Sequence, residues 1–310
     1  MKYVLVAVAA LIVAILSGGY YVFMRACHRG KTIDWEDPDQ VGKNGYAPHA
    51  DRISRAIQWV RQQKTEDVWL DSRDGLRLHG VWIPSEQAKA TVILFHGYHS
   101  TPMCDFSMIL PFYHSLGLNL LLADQRAHGR SEGKYITFGI REHQDALSWI
   151  DYHNEHFGSI PVYLGGMSMG ATTVLMAAGR KMPENVKGIS ADCGFTDPYE
   201  ILAQVMHSMH VPVFPLLHAA GIFTRLFAGF GLREYSTIRA METCRLPILL
   251  IHGLSDDFVP CEMSRRAYRA CKTEKKLLLA EGAGHGTSFL FDQARIQSAL
   301  ENFFMDHLQD

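Results

Sequence analysis

Pro161-Val162-Tyr163-Leu164-Gly165-Gly166-Met167-Ser168-Met169-Gly170-Ala171-Thr172-Thr173-Val174-Leu175-Met176-Ala177-Ala178 decides the reading of the fold. Pro161 to Gly165 has the character of a strand, Ala171 to Ala178 that of a helix, and Gly-Met-Ser-Met-Gly stands between them. A chain that turns from strand to helix in so few residues strains the serine backbone and crowds its neighbours, so glycine is needed two positions before and two after it. The hydroxyl of Ser168 is then left exposed at the edge of a sheet. A bare Gly-x-Ser-x-Gly also occurs in ordinary loops; the strand before and the helix after give it chemical meaning.

Working outward, short apolar runs alternate with helical patterns: Thr91 to Phe95, Asn119 to Ala123, Val162 to Leu164, Val186 to Ser190, Pro247 to Ile251 and Lys276 to Leu279. Runs that are apolar throughout and rich in branched residues suit a parallel sheet covered by helices on both faces. The fold class is therefore α/β, with a mostly parallel central sheet. Two earlier segments, Asp67 to Leu70 and Leu76 to Ile83, flank Asp74-Gly75 and read as an antiparallel hairpin. Between Asp192 and Cys244 the alternation stops, and an apolar stretch containing Met206, Met209, Phe214, Phe223, Phe227 and Phe230 is expected to form a helical cap, at about 193–244, over the sheet's carboxyl edge. The expected organisation is an N-terminal segment (1–30), a polar linker with a leading amphipathic helix (31–64), and a large domain (65–310).

A serine hydroxyl is a poor nucleophile unless an imidazole takes its proton, and the imidazole needs a carboxylate to hold its tautomer. Downstream, Leu249-Leu250-Ile251 runs into His252-Gly-Leu-Ser-Asp256-Asp257-Phe-Val-Pro260, an acidic loop after a strand, and Asp256 is preferred to Asp257 as the carboxylate. The run Lys276 to Leu279 then gives way to Glu281-Gly-Ala-Gly-His285-Gly, where glycines free a histidine to reach across; His285 is the expected base. His252 closes a strand and reads as a packed core residue. Acyl transfer also needs donors aimed at the developing oxyanion. Met169 N–H is one candidate, and Tyr98 N–H, in His96-Gly97-Tyr98-His99 after a strand, is the other.

Asp124-Gln-Arg126-Ala-His128-Gly-Arg-Ser131-Glu-Gly133 could be mistaken for a second site, but it reads better as a loop bracing the sheet, with Asp124 and Arg126 pairing locally. With 30 Lys and Arg against 32 Asp and Glu, the net charge of -2 argues against a nucleic-acid partner. The six cysteines show no Cys-x-x-Cys pair and read as mostly free thiols. The sixteen histidines include no His-Glu-x-x-His run, so no metal ligand set is expected. No step of the chemistry implies a cofactor.

Tyr3 to Met24 carries no charge. As a helix it spans about 33 Å, the thickness of a bilayer core. It lacks a small-x-small cleavage site and ends in Tyr20, Tyr21, Phe23 and Met24 before Arg25, so an uncleaved single-pass anchor in the cell membrane is expected. Cations on both flanks leave the side of the domain open.

Together, His96-Gly97, Asp124-x-Arg-x-His-Gly-x-Ser131, Gly166-Met-Ser-Met-Gly170, His252-Gly-x-x-Asp256-x-x-Val-Pro260 and Gly284-His285 resemble the membrane-anchored bacterial α/β-hydrolases of the serine-aminopeptidase or lysophospholipase-like type, over about residues 65–305. The resemblance implies nucleophile, acid and base at Ser168, Asp256 and His285, with Tyr98 and Met169 at the oxyanion. Ala127 departs from it, since many relatives carry glycine there. The activity expected is hydrolysis of a small-molecule carboxylic ester or thioester through an acyl-enzyme. The alternatives are a serine peptidase or amidase on the same scaffold, and a catalytically silent, membrane-tethered binding protein.

Overall fold

The structure is a computed structural model that describes residues 1–30 and 50–308. Most of the expected polar linker, residues 31–49, lies outside the described residues. The leading helix is present as Ala50–Gln62, with Ile53, Ile57 and Val60 buried at helical spacing.

Eight strands form one sheet: β1 (Glu66–Asp71), β2 (Arg77–Ile83), β3 (Ala90–Phe95), β4 (Leu118–Ala123), β5 (Val162–Met167), β6 (Val186–Asp192), β7 (Ile248–Gly253) and β8 (Lys275–Ala280). Their order is β1-β2-β4-β3-β5-β6-β7-β8. From β4 to β8 every pairing is parallel, while β2 pairs antiparallel with both β1 and β4. Each of the runs read from sequence becomes a strand with one or both ends shifted by one to three residues; β7 starts at Ile248 rather than Pro247, and β2 starts at Arg77 rather than Leu76.

Strands β3, β4, β5 and β7 bury both faces and β6 nearly so, which is why they are apolar at consecutive positions, whereas β8 at the sheet edge is only partly buried. Ile93, Phe95 and Leu164 pack with Trp149 and Val174 in one core, and Val92, Leu94 and Leu249 pack with Leu110, Phe303 and Phe304 in the other. The chain leaves β3 toward β4 on one side and reaches β5 on the other. In open α/β sheets the crevice at the carboxyl ends of two such strands is where ligands bind.

Between β6 and β7 the chain forms three helices, Pro198–Ser208, Leu216–Phe227 and Thr237–Thr243. At the other end of the sequence the helix Lys2–Cys27 is long and apolar enough to cross a membrane. It is more than a projecting rod. Phe23 and Cys27 are 1% and 0% exposed and belong to the main core. Beyond it, Arg29 donates to the carbonyls of Ser131 and Gly129, and His28 forms a bridge with Tyr135. Phe223 and Phe227 of the expected cap pack against this helix: their rings lie 6.4 and 5.9 Å from that of Phe23.

Candidate active site

β5 ends at Met167, Ser168 takes φ 53° and ψ −112°, and the helix Met169–Ala178 begins at the next residue. A positive φ is costly for any residue but glycine, and it persists here because the surroundings fix it. Ser168 N donates to Asp192 O at 2.8 Å, and Ser168 O accepts from Thr172 N at 3.0 Å. The helix lies so close to the end of β3 that a Cβ on Gly170 would stand 1.7 Å from the Phe95 carbonyl oxygen. The flanking glycine answers this contact as well as the turn.

His285 stands in the loop after β8, and its Nε2 lies 2.9 Å from Ser168 Oγ. Its Nδ1 lies 2.7 Å from Asp256 Oδ2, which makes Nδ1 the protonated nitrogen and turns the Nε2 lone pair toward the serine. Asp256, in the loop after β7, is buried, whereas Asp257 is exposed. The second oxygen of Asp256 accepts from Phe258 N and Val259 N at 3.0 and 2.8 Å. Burial works against the charged form of Asp256, but the hydrogen bonds from His252 and His285 outweigh it and hold the carboxyl down to about 2.

His252 is fully buried, as expected for a residue closing a strand, but its surroundings add a role the sequence did not show. Its Nε2 lies 2.9 Å from Val259 O and 3.2 Å from Asp256 Oδ2, and its Nδ1 lies 2.7 Å from Ser264 Oγ. Asp256 is thus flanked by two imidazoles. The spacing His252-x-x-x-Asp256 is visible in the sequence; the direction of the ring is not.

Tyr98 and Met169 flank the serine on the other side. Among the described residues neither amide N–H is taken by another acceptor, and Gly97 lies so near the nucleophile that a Cβ there would be 3.4 Å from Ser168 Cβ. This approach is braced from behind. Gly97 N donates to Asp105 Oδ2 at 2.6 Å and His99 N to His128 Nε2 at 3.0 Å. Burial keeps His128 well below its usual pKa, so the nitrogen has a lone pair to accept with. Gln125 donates from its backbone N to His96 Nε2 at 3.0 Å and from its side chain to His96 O, and Thr173 Oγ1 donates to Gln125 Oε1 at 2.9 Å. The 124–133 loop therefore ties the Tyr98 turn to the nucleophile helix.

Asp124 and Arg126 both pair, though not with one another. Asp124 Oδ2 lies 2.7 Å from His79 Nδ1, and Arg126 makes charged hydrogen bonds of 2.6 Å to Asp145 and 2.7 Å to Asp74. Ala127 takes φ 60°, a conformation that glycine adopts without strain.

Cys193, Asp256 and His285 offer ligand atoms within 4.8 Å of one another. As a metal set they fit poorly: a coordinating thiol must be deprotonated, and burial pushes the Cys193 thiol well up, while both nitrogens of His285 already face Asp256 and Ser168.

Ser168 opens into a cavity of about 390 Å³. Tyr98, Phe138, Phe195, Met206, Met209 and Leu216 are among the residues that line it. Gly18, Tyr21, Val22 and Ala26 of the N-terminal helix form one wall. That contribution is not legible in the sequence, where the helix reads as a tether.

The chain matches the family model described as alpha/beta hydrolase fold over residues 90–213. It is 27% identical to the uncharacterized protein YqkD of Bacillus subtilis over 314 residues, covering 100% of this chain and 99% of that one. It is 25% identical over 199 residues to the alpha/beta hydrolase domain-containing protein WAV2 of Arabidopsis thaliana, 63% of each chain. Among solved structures it resembles the Pyrococcus furiosus esterase Pf2001, with a TM-score of 0.65 at 24% identity, over 79% of this chain and 92% of that one. The sheet order, the serine turn after β5 and these likenesses agree that this protein has the α/β-hydrolase fold.

Proposed function

We propose that the protein is a serine hydrolase that cleaves carboxylic esters or thioesters through an acyl-enzyme. The observation that carries this reading is His285, whose two ring nitrogens lie 2.7 Å from a buried carboxylate and 2.9 Å from a serine hydroxyl. In the first step Ser168 Oγ bonds to the acyl carbon while His285 Nε2 takes its proton, and Asp256 stabilises the imidazolium. The negative charge on the acyl oxygen is met by the N–H groups of Tyr98 and Met169. His285 then gives its proton to the leaving alkoxide or thiolate as that bond breaks. Water, deprotonated by the same nitrogen, releases the acid and restores the serine.

We also read the N-terminal helix as retained and membrane-spanning, because its last turns belong to the core and their removal would bare a wall of the cavity.

The test is a panel of p-nitrophenyl acyl esters, acyl thioesters and aminoacyl arylamides, run on the full-length protein with Ser168→Ala as blank. Ester or thioester turnover well above the blank, with little arylamide cleavage, is expected. Arylamide hydrolysis exceeding ester hydrolysis would favour a peptidase. No turnover with any substrate would favour a binding protein.

A further inference from the structure

Lys2–Ser17 stands free of the domain apart from half-buried Ile15. At 1.5 Å per residue these sixteen residues reach about 24 Å. The hydrocarbon core of a bilayer is about 30 Å thick and takes about 20 apolar residues to cross. Counted from Tyr3, the twentieth residue is Val22. A spanning helix must therefore carry Gly18–Val22 into the edge of the bilayer, and this segment is seated on the helix Leu216–Phe227. A Cβ on Gly19 would stand 2.4 Å from Ala219 Cβ, and the Tyr20 ring meets Phe223 edge-on at 5.3 Å. The helix Leu216–Phe227 is drawn to the same depth.

Its outward residues suit that depth. Leu226 is 69% exposed, Ile222 49% and Phe227 53%, and Phe214, just before the helix, is 74% exposed. Ala219 and Phe223 face the N-terminal helix; Ile222 and Leu226 follow on the adjoining side, away from the core. Arg25 and Arg225 are also exposed here, cations placed where headgroups begin. A contiguous set of large exposed apolar side chains marks a contact surface. Its continuity with a helix able to cross a bilayer indicates that lipid covers it.

The cavity opens on the same side. Met209 and Tyr21 both line it and are 67% and 66% exposed, which marks its mouth beside the N-terminal helix. A volume of about 390 Å³ is near the low end of the ~300–1,000 Å³ typical of ligand pockets, and suits one acyl chain better than two.

We propose that this face of Leu216–Phe227 lies in the interface of the bilayer that the N-terminal helix crosses, and that the substrate is a single-chain lipid ester of that membrane. Its acyl chain enters past Met209 and Tyr21, lies against Val22 and Ala26, and presents its carbonyl carbon to Ser168. The proposal rests on the acyl-transfer reading above and uses the same steps.

The experiment uses the full chain reconstituted in phosphatidylcholine vesicles, with 4-methylumbelliferyl palmitate dissolved in the bilayer and 4-methylumbelliferyl acetate added in water. Val22→Trp, which fills the wall, should lower the ratio of palmitate to acetate turnover at least tenfold while fluorophosphonate labelling persists. The Phe214→Glu, Leu226→Glu double variant should lower the ratio of palmitate turnover in vesicles to that in detergent micelles at least fivefold. Ile222→Trp, an exposed position that tolerates the change, should be quenched by brominated phosphatidylcholine. Ratios within twofold of the unaltered protein, or an unquenched Ile222→Trp as when another protein covers the face, would overturn the membrane proposal while acetate turnover continues. Absence of both acetate turnover and labelling in the unaltered protein would overturn the acyl-transfer reading, and this proposal with it.

Discussion

The turn around Ser168 and the contact between the N-terminal helix and Leu216–Phe227 both border the same cavity, yet they are held in different ways. The turn is fixed by backbone sterics: a serine at φ 53°, and a glycine whose Cβ would collide with the Phe95 carbonyl. Only glycine fits at positions 166 and 170, where a Cβ would stand 2.3 Å from the Gly170 carbonyl oxygen and 1.7 Å from that of Phe95, so the pattern is written locally in five residues. The helix contact is a packing arrangement of Phe23, Tyr20, Phe223 and Phe227. Many apolar residues could make it, and its partners lie some two hundred residues apart in the chain. Chemistry is encoded here by sterically exclusive positions, and access to the chemistry by permissive ones.

The comparison can be broken first on the chemical side. Asp256→Asn leaves the shape of the loop but upsets the tautomer of His285, and turnover should fall about 10⁴-fold, or about 5 kcal/mol in the barrier. Asp257→Asn, at an exposed neighbour, should cost less than tenfold. Steady-state kinetics on the two variants separates them, and equal losses would mean that the carboxylate has been misassigned.

On the packing side, Phe23→Ala removes a ring that is 1% exposed. It should cost about 3–5 kcal/mol of stability, and so lower Tm by roughly 6–12 °C for a domain of this size. Leu11→Ala, on the part of the helix that stands free at 61% exposure, should change stability by less than about 0.5 kcal/mol. Calorimetry of the full chain in detergent reads both. A Tm for Phe23→Ala equal to that of Leu11→Ala would show that the helix is only a tether.

The sequence made the sheet legible because β3 to β7 are largely buried on both faces and therefore carry apolar residues at most consecutive positions. It showed Ser168, Asp256, His285, Tyr98 and Met169 as candidates because each sits at a strand end marked by glycine or by an acidic loop; the structure places His285 within hydrogen-bond distance of both Ser168 and Asp256, with the Gly97-Tyr98 turn beside the serine. The partners of Asp124 and Arg126 were not legible, since Asp74, His79 and Asp145 reach them only through the tertiary fold. The orientation of His252 toward Asp256 was hidden for the same reason. The N-terminal helix was the largest omission. Its composition reports how far it can reach, but nothing local reports that its last turns return to the core and line a cavity.

The central claim is that Ser168 is the nucleophile, and mass spectrometry of the fluorophosphonate-treated full-length protein tests it most directly. One adduct per chain is predicted, carried by Ser168, and it should be lost in Ser168→Ala and strongly slowed in His285→Ala. An adduct on another residue, or undiminished labelling of Ser168→Ala, would contradict the account.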